Sequence, residues 1–193
     1  MSFNRRRFLQ TTAGAAIAAP AIMKSAMAGS HDAIKFVSIL DQSGGLDIYG
    51  KPMVDATKMA IDEINEAGGL LGRQVDLKVY DPQSSIQFYT QFATQAAAGD
   101  RADVVHAGIT SASREAIRPT FSRFQTLYFY NTLYEGGVCD INNFCTGSTP
   151  AQTVEKLVPY TMNKWGKKVY IVAADYNYGQ ITAQWVQKYV RDN

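Results

Sequence analysis

Asp103-Val104-Val105-His106-Ala107-Gly108-Ile109 runs into Thr110-Ser111-Ala112-Ser113 and on through Arg114 to Phe124, and the reading of this stretch decides the fold. The short apolar run, rich in β-branched residues, predicts a buried strand over 103–109, and the polar tip predicts entry into a helix over 113–124. Pro119 lies inside that helix, where a missing N–H favours a bend. The same unit repeats on both sides. Upstream, 34–40 and 74–80 read as strands. Between them Val54, Thr57, Ala60, Ile61 and Ile64 recur at helical steps until Gly68-Gly69 ends the run. A second helix is expected over 86–98.

Downstream, 126–131 and 169–174 carry the strand pattern. Thr149, Pro150 and Gln152 spell an N-cap, a first-turn proline and a capping-box partner for another helix. Its apolar face is Val154, Leu157, Val158, Thr161, Met162 and Trp165, with Pro159 inside and Gly166 as its stop. A last helix starts near Gly179 and continues past Val190, with Ile181, Trp185 and Tyr189 on its apolar side. Strands alternating with helices predict an α/β fold, a parallel sheet with helices on both faces. No strand follows the last helix, so the sequence is expected to be part of a longer chain.

The first residues read as an export signal. Asn4-Arg5-Arg6-Arg7-Phe8-Leu9-Gln10 precedes an Ala-rich apolar stretch over 13–23, and Ala26-Met27-Ala28 offers a small-x-small cleavage site. The Arg5-Arg6-x-Phe8-Leu9 core resembles the twin-arginine type. The stretch of 11 residues is short of the ~20 that a membrane-spanning helix needs. Residues 1–28 are therefore expected to be a signal peptide cleaved after Ala28, which places the mature chain in the periplasm.

Removing that segment takes away Arg5, Arg6, Arg7 and Lys24 and no acid, so the formal charge falls from +2 to −2. The apparent basic balance belongs to the leader and gives no argument for nucleic acid or for a membrane surface. Cys139 and Cys145 are the two cysteines, with five residues between them, and an exported location favours a small disulfide loop over two free thiols. A metal site would want more ligands close by, and none is expected.

Ligands of open parallel α/β sheets bind beyond the carboxyl ends of the strands. Those ends are Asp41-Gln42-Ser43, Asp81-Pro82-Gln83-Ser84-Ser85, Thr110-Ser111-Ala112-Ser113, Asn131-Thr132-Leu133-Tyr134-Glu135 and Asp175-Tyr176-Asn177-Tyr178-Gly179. Hydroxyls, amides and phenols dominate. No dinucleotide, P-loop or nucleophile-elbow motif is present, so neither an enzyme nor a cofactor is expected. His106 sits in a strand pattern and reads as a packed core histidine. Tyr176 and Tyr178, two apart, are expected to point to opposite sides of an extended tip.

Asp47-Ile48-Tyr49-Gly50-Lys51-Pro52-Met53, Asn65-Glu66-Ala67-Gly68-Gly69-Leu70-Leu71-Gly72-Arg73 and Tyr80-Asp81 resemble the type I periplasmic binding proteins of ABC importers. Gly108 to Arg114, Tyr134-Glu135-Gly136-Gly137 and Ala174 to Gly179 look like its urea and short-chain amide branch. The resemblance covers 34–193 and implies two Rossmann-like, parallel-sheet lobes closing on a ligand, with 29–147 belonging to the first lobe and 148–193 beginning the second.

By resemblance, Ser111, Ala112 and Ser113 would receive a ligand carbonyl. Ser84, Ser85, Tyr130, Thr132 and Tyr134 would line the first-lobe wall, and Tyr176 or Tyr178 would reach across. The expected partners are a small polar solute, urea or a short amide, and an inner-membrane ABC permease. Glu135 keeps a branched-chain amino-acid ligand open, because it could meet an ammonium. An exported amide-acting enzyme and an amide-sensing regulator are the less favoured readings.

Overall fold

The computed structural model describes residues 33–193. The expected signal peptide, its twin-arginine core and its cleavage site lie outside the described residues. Strands β1 (Ile34–Ile39), β2 (Val75–Tyr80), β3 (Val104–Ala107), β4 (Leu127–Tyr130) and β5 (Asn143–Cys145) form one parallel sheet in the order β2-β1-β3-β4-β5. Helices α1 (Asp47–Glu66), α2 (Ile86–Thr94) and α3 (Ser111–Phe124) connect the first four strands, and α4 (Val154–Trp165) and α5 (Asn177–Asp192) follow the sheet. The α/β expectation holds. None of the described helices is long and apolar enough to cross a membrane.

The period-2 alternation of the strands sorts the two faces. Val37, Val105 and Tyr128 stand side by side in register and join a buried cluster with Tyr89 and Ala93 of α2 and Ile117 and Phe121 of α3. The rings of Phe121 and Tyr128 are tilted at 4.9 Å. The next row, Ser38, His106 and Phe129, faces α1, where Thr57 Oγ1 lies 3.4 Å from His106 Nδ1. His106 is buried as a core histidine, and desolvation lowers its pKa to about 4. At the turn into α1 the helix crosses the end of β1 so closely that a methyl on Gly50 would sit 1.9 Å from the Asp41 carbonyl oxygen.

Several elements depart from expectation for physical reasons. The 86–98 helix loosens into a π-helical turn over Gln95–Asp100 and stops at Arg101, which takes a left-handed φ of 55°. Thr149 caps a turn rather than the helix. Gln152 Oε1 accepts from the Thr149 N–H, as a capping box requires, but α4 begins only at Val154. Within α4 Val154, Val158 and Met162 pack against Trp185, Val186, Tyr189 and Val190 of α5. Leu157 and Trp165, expected on the same face, are exposed.

The expected strand over 169–174 does not form. No described strand lies beside it to accept its ladder, and Tyr170 and Val172 stand exposed. The sheet instead gains β5, whose Phe144 stacks on Phe129 at 5.0 Å. That strand also overturns the expected disulfide. Cys145 is fixed in β5 with its thiol donating to Asn143 Oδ1 at 3.1 Å, Cys139 lies exposed in the preceding loop, and both are free thiols.

Candidate functional site

A cleft of about 470 Å³ opens at the carboxyl ends of β3 and β4. The sheet order explains its place. β1, β3 and β4 are neighbours, while β2 is at the edge, so the tip after β2 is one strand removed from the opening. The segment leading into α1 supplies one wall with Leu46, Ile48, Tyr49, Pro52 and Met53. The floor is Ile109, Thr110, Ser111, Tyr130, Thr132 and Leu133, and Tyr176 and Tyr178 close the far side. No charged side chain is among these residues.

The start of α3 is set by local chemistry. Thr110, not Ser113, is the N-cap, because its Oγ1 accepts from the Ser113 N–H at 3.1 Å while Ser113 Oγ accepts from the Thr110 N–H at 3.2 Å. Ser113 is therefore part of the cap and lies outside the lining. The N–H groups of Ser111 and Ala112 begin the helix and have no intrahelical acceptor, and of these two residues Ser111 lines the floor.

Other expected hydroxyls serve the scaffold. Tyr130 OH donates toward the Ile109 and Leu133 carbonyls at 3.1 and 3.2 Å, and Thr132 Oγ1 donates to the Ile109 carbonyl at 2.8 Å. These bonds tie the two floor loops together. Ser84 lies outside the cleft, where its Oγ accepts from Leu46 N–H at 3.0 Å and its own N–H donates to buried Asp41 at 2.6 Å. Ser85 occupies the N-cap position of α2. Tyr134 also lies behind the floor, its hydroxyl accepting from Val138 N–H. The structure thus brings together Ser111, Tyr130, Thr132, Tyr176 and Tyr178, and leaves Ser84, Ser85, Ala112, Ser113 and Tyr134 off the lining.

Tyr176 and Tyr178 do not diverge as expected. Tyr176 is the residue before α5 and Tyr178 is in its first turn, so strand alternation does not apply, and their rings stack at 6.2 Å. Both meet the cleft.

Behind the floor lies a buried ion pair. Arg114 Nη1 and Nη2 donate to Glu135 Oε2 and Oε1 at 3.1 and 2.5 Å, and both side chains are 1% exposed. Ser111 Oγ donates to Glu135 Oε2 at 2.7 Å. The guanidinium sits over the rings of Tyr130 and Tyr134, 4.9 and 5.2 Å from their centroids. Burial pushes the Glu135 carboxyl up, yet Arg114 and the Ser111 hydroxyl outweigh it and hold the group below the usual range. Glu135, expected as a receiver for an ammonium, is already committed to Arg114.

The sequence reading missed Arg114 and the α1 wall. Arg114, Ile117 and Phe121 follow three- and four-residue steps on the core face of α3, and a charge in that pattern signals a buried partner. The signal for the wall was the run of apolar residues at the very start of α1, with Ile48 71% exposed. Among the described residues no group of His, Cys, Asp and Glu side chains could hold a metal ion.

Residues 34–193 match the family described as periplasmic binding protein domain. The branched-chain amino acid transporter substrate binding protein LivJ from Streptococcus pneumoniae, in complex with isoleucine, resembles the chain over 81% of its residues and 46% of the other chain, at 21% identity and a TM-score of 0.72. The leucine binding protein LivK from Thermotoga maritima covers 82% and 46%, at 16% identity and 0.71. A solute binding protein of an ABC transporter from Rhodopseudomonas palustris, in complex with 3,4-dihydroxybenzoic acid, covers 84% and 45%, at 17% identity and 0.73. At these identities the likeness is one of fold, and the chain spans about half the length of the structures it matches.

Proposed function

The chain belongs to the periplasmic binding protein domain family, and on that footing we propose that the whole protein is the extracytoplasmic solute-binding component of an ABC importer. In this reading residues 29–147 belong to one lobe and 148–193 begin a second, Tyr176 and Tyr178 closing over a solute held on the first. It delivers the solute to an inner-membrane permease and changes no bond in it.

The observation that carries the reading is the composition of the cleft. Its body is apolar, from Leu46, Ile48, Pro52 and Met53, and its floor includes Thr110 and Ser111 at the start of α3, where the first helical N–H groups have no intrahelical acceptor. Such a site suits a small molecule with an apolar body and an oxygen-bearing head, and its volume is in the range of roughly 300–1,000 Å³ usual for small-molecule sites. A branched-chain amino acid meets that description, and proteins of similar fold include binders of isoleucine and leucine. Urea would leave the apolar wall uncovered.

A specific observation favours a second reading, a short-chain amide. No charged side chain lines the described part of the cleft and Glu135 is paired, so an ammonium finds no counter-charge there. Calorimetric titration of the full-length protein with leucine, isoleucine, acetamide and urea separates the two. Heat with leucine or isoleucine alone supports the amino-acid reading. Heat with acetamide or urea alone moves the assignment to amides. Release of ammonia from an amide would overturn the binding role.

A further inference from the structure

We infer that Glu135 is a positioning residue that holds the floor and the far side of the cleft, and that the floor serine and the far-side tyrosines are set through this one side chain and its carbonyl; the inference rests on the solute-binding reading of the cleft. Its carboxylate reaches the floor, accepting from Ser111 Oγ at 2.7 Å and from both Arg114 Nη atoms. Its backbone carbonyl accepts from Trp185 Nε1 at 3.0 Å, and Asn177 Nδ2 approaches Oε1 at 3.5 Å. Trp185 and Asn177 are on α5, the helix whose first turn carries Tyr178. Ser111 and Tyr178 are remote in sequence and both line the cleft.

The pair is rigid where it meets the first lobe. Arg114 is clamped by Glu115 at 2.9 Å as well as by Glu135, and its plane lies over Tyr130 and Tyr134. Its hold on α5 is lighter, one indole N–H and one long amide contact. Glu135 therefore stays with the floor when the far wall moves, and the Trp185 bond is the contact through which α5 is seated. Nonpolar replacement of both ends of such a pair is often tolerated, whereas removal of one end leaves a buried charge, which gives the inference its controls.

The test is hydrogen exchange by mass spectrometry on the full-length protein, comparing the wild type with Trp185→Phe, Glu135→Gln and the double variant Arg114→Met/Glu135→Leu. Trp185→Phe keeps the ring and removes the donor. The expected result is at least about threefold faster exchange over 176–186 and also over 110–115, with β1 and β3 unchanged. Glu135→Gln, or the double variant where the single one does not fold, is expected to loosen both segments together. Acceleration confined to 176–186 in Trp185→Phe, or to 110–115 in the Glu135 variants, overturns the inference, because a merely local brace moves one segment only. A parallel titration with leucine and acetamide is expected to weaken about tenfold in the variants. Failure of the wild type to bind either probe speaks against the solute reading and leaves the exchange comparison standing.

Discussion

Replacing His106 by Gln should flatten the acid limb of the stability curve. In the folded chain burial lowers the imidazole pKa from 6.5 to about 4, its Nε2 has no hydrogen-bond partner among the described residues, and Nδ1 has only Thr57 at 3.4 Å. A histidine whose folded pKa lies below its unfolded value is protonated first in the unfolded chain. Stability is then full above pH 6.5 and is lost as pH falls toward the folded pKa. A gap of two and a half pH units, at 1.36 kcal/mol per unit, removes about 2 kcal/mol by pH 5 and about 3 kcal/mol by pH 4.

Carboxylates titrate in the same window, so the quantity to measure is the difference between wild type and His106→Gln. Urea unfolding followed by far-ultraviolet circular dichroism at pH 7, 6, 5 and 4 gives it. The two curves should converge by about 2–3 kcal/mol across that range. An imidazole proton titration by NMR reads the folded pKa directly. A difference that stays constant with pH, together with an imidazole titrating near 6.5, would refute the argument that this face of the sheet excludes water.

Three further outcomes follow from the packing. Tyr89→Phe removes the hydroxyl that donates to buried Asp41 at 2.9 Å and should cost about 1–3 kcal/mol at neutral pH. Burial already raises the Asp41 carboxyl despite the Ser84 N–H and Tyr89 hydroxyl, so the folded chain takes up that proton first, and the cost of the variant should shrink as pH falls through the folded pKa; denaturant melts at pH 7 and pH 4 check it. Gly50→Ala drives a methyl onto the Asp41 carbonyl and should lower stability by about 1–3 kcal/mol, seen as a fall in Tm, since the obstacle is backbone. Tyr178→Ala should leave Tm within a few degrees and weaken solute binding about tenfold or more in calorimetry, because the ring faces the cleft rather than the core.

How much of this was legible in the sequence depends on whether the deciding contact is local. The strands at Ile34–Ile39, Val75–Tyr80, Val104–Ala107 and Leu127–Tyr130 announced themselves because each is a short run of β-branched and aromatic residues bounded by polar turns, even in Val75–Tyr80, where Asp76 and Lys78 are exposed. The capping of α3 was nearly legible, but Thr110 and Ser113 can each cap, and only the geometry shows that they cap reciprocally. β5 was invisible, since Asn143-Phe144-Cys145 has no run to recognise and is a strand only because β4 lies beside it. The 169–174 segment failed in the opposite sense, with a strand's composition and no described strand beside it. Tyr176 and Tyr178 were assigned opposite sides by a period-2 rule that lapses where the chain turns into α5.

The site was misjudged in a more instructive way. Hydroxyls at strand ends were read as groups waiting for a solute, yet Tyr130, Thr132 and Ser111 donate to Ile109, Leu133 and Glu135. A buried hydroxyl left unpaired costs about 1–3 kcal/mol, so a stable floor binds its own donors before any ligand arrives. On the proposed solute-binding reading, what remains for recognition is the Ser111 N–H at the start of α3, the lone pairs of those hydroxyls and the shape of the apolar wall. That N–H donor cannot retreat into a better bond within the helix, and a ligand oxygen placed there would gain more than from a hydroxyl that must break one contact to make another. On that reading, discrimination at this cleft rests on where the oxygen and the apolar body of the solute stand relative to Ser111 and Met53. Exchanging Thr132 for Val, which keeps the shape and removes one internal donor, should alter stability more than selectivity, and the ratio of affinities for leucine and acetamide, measured beside Tm, is the comparison that decides it.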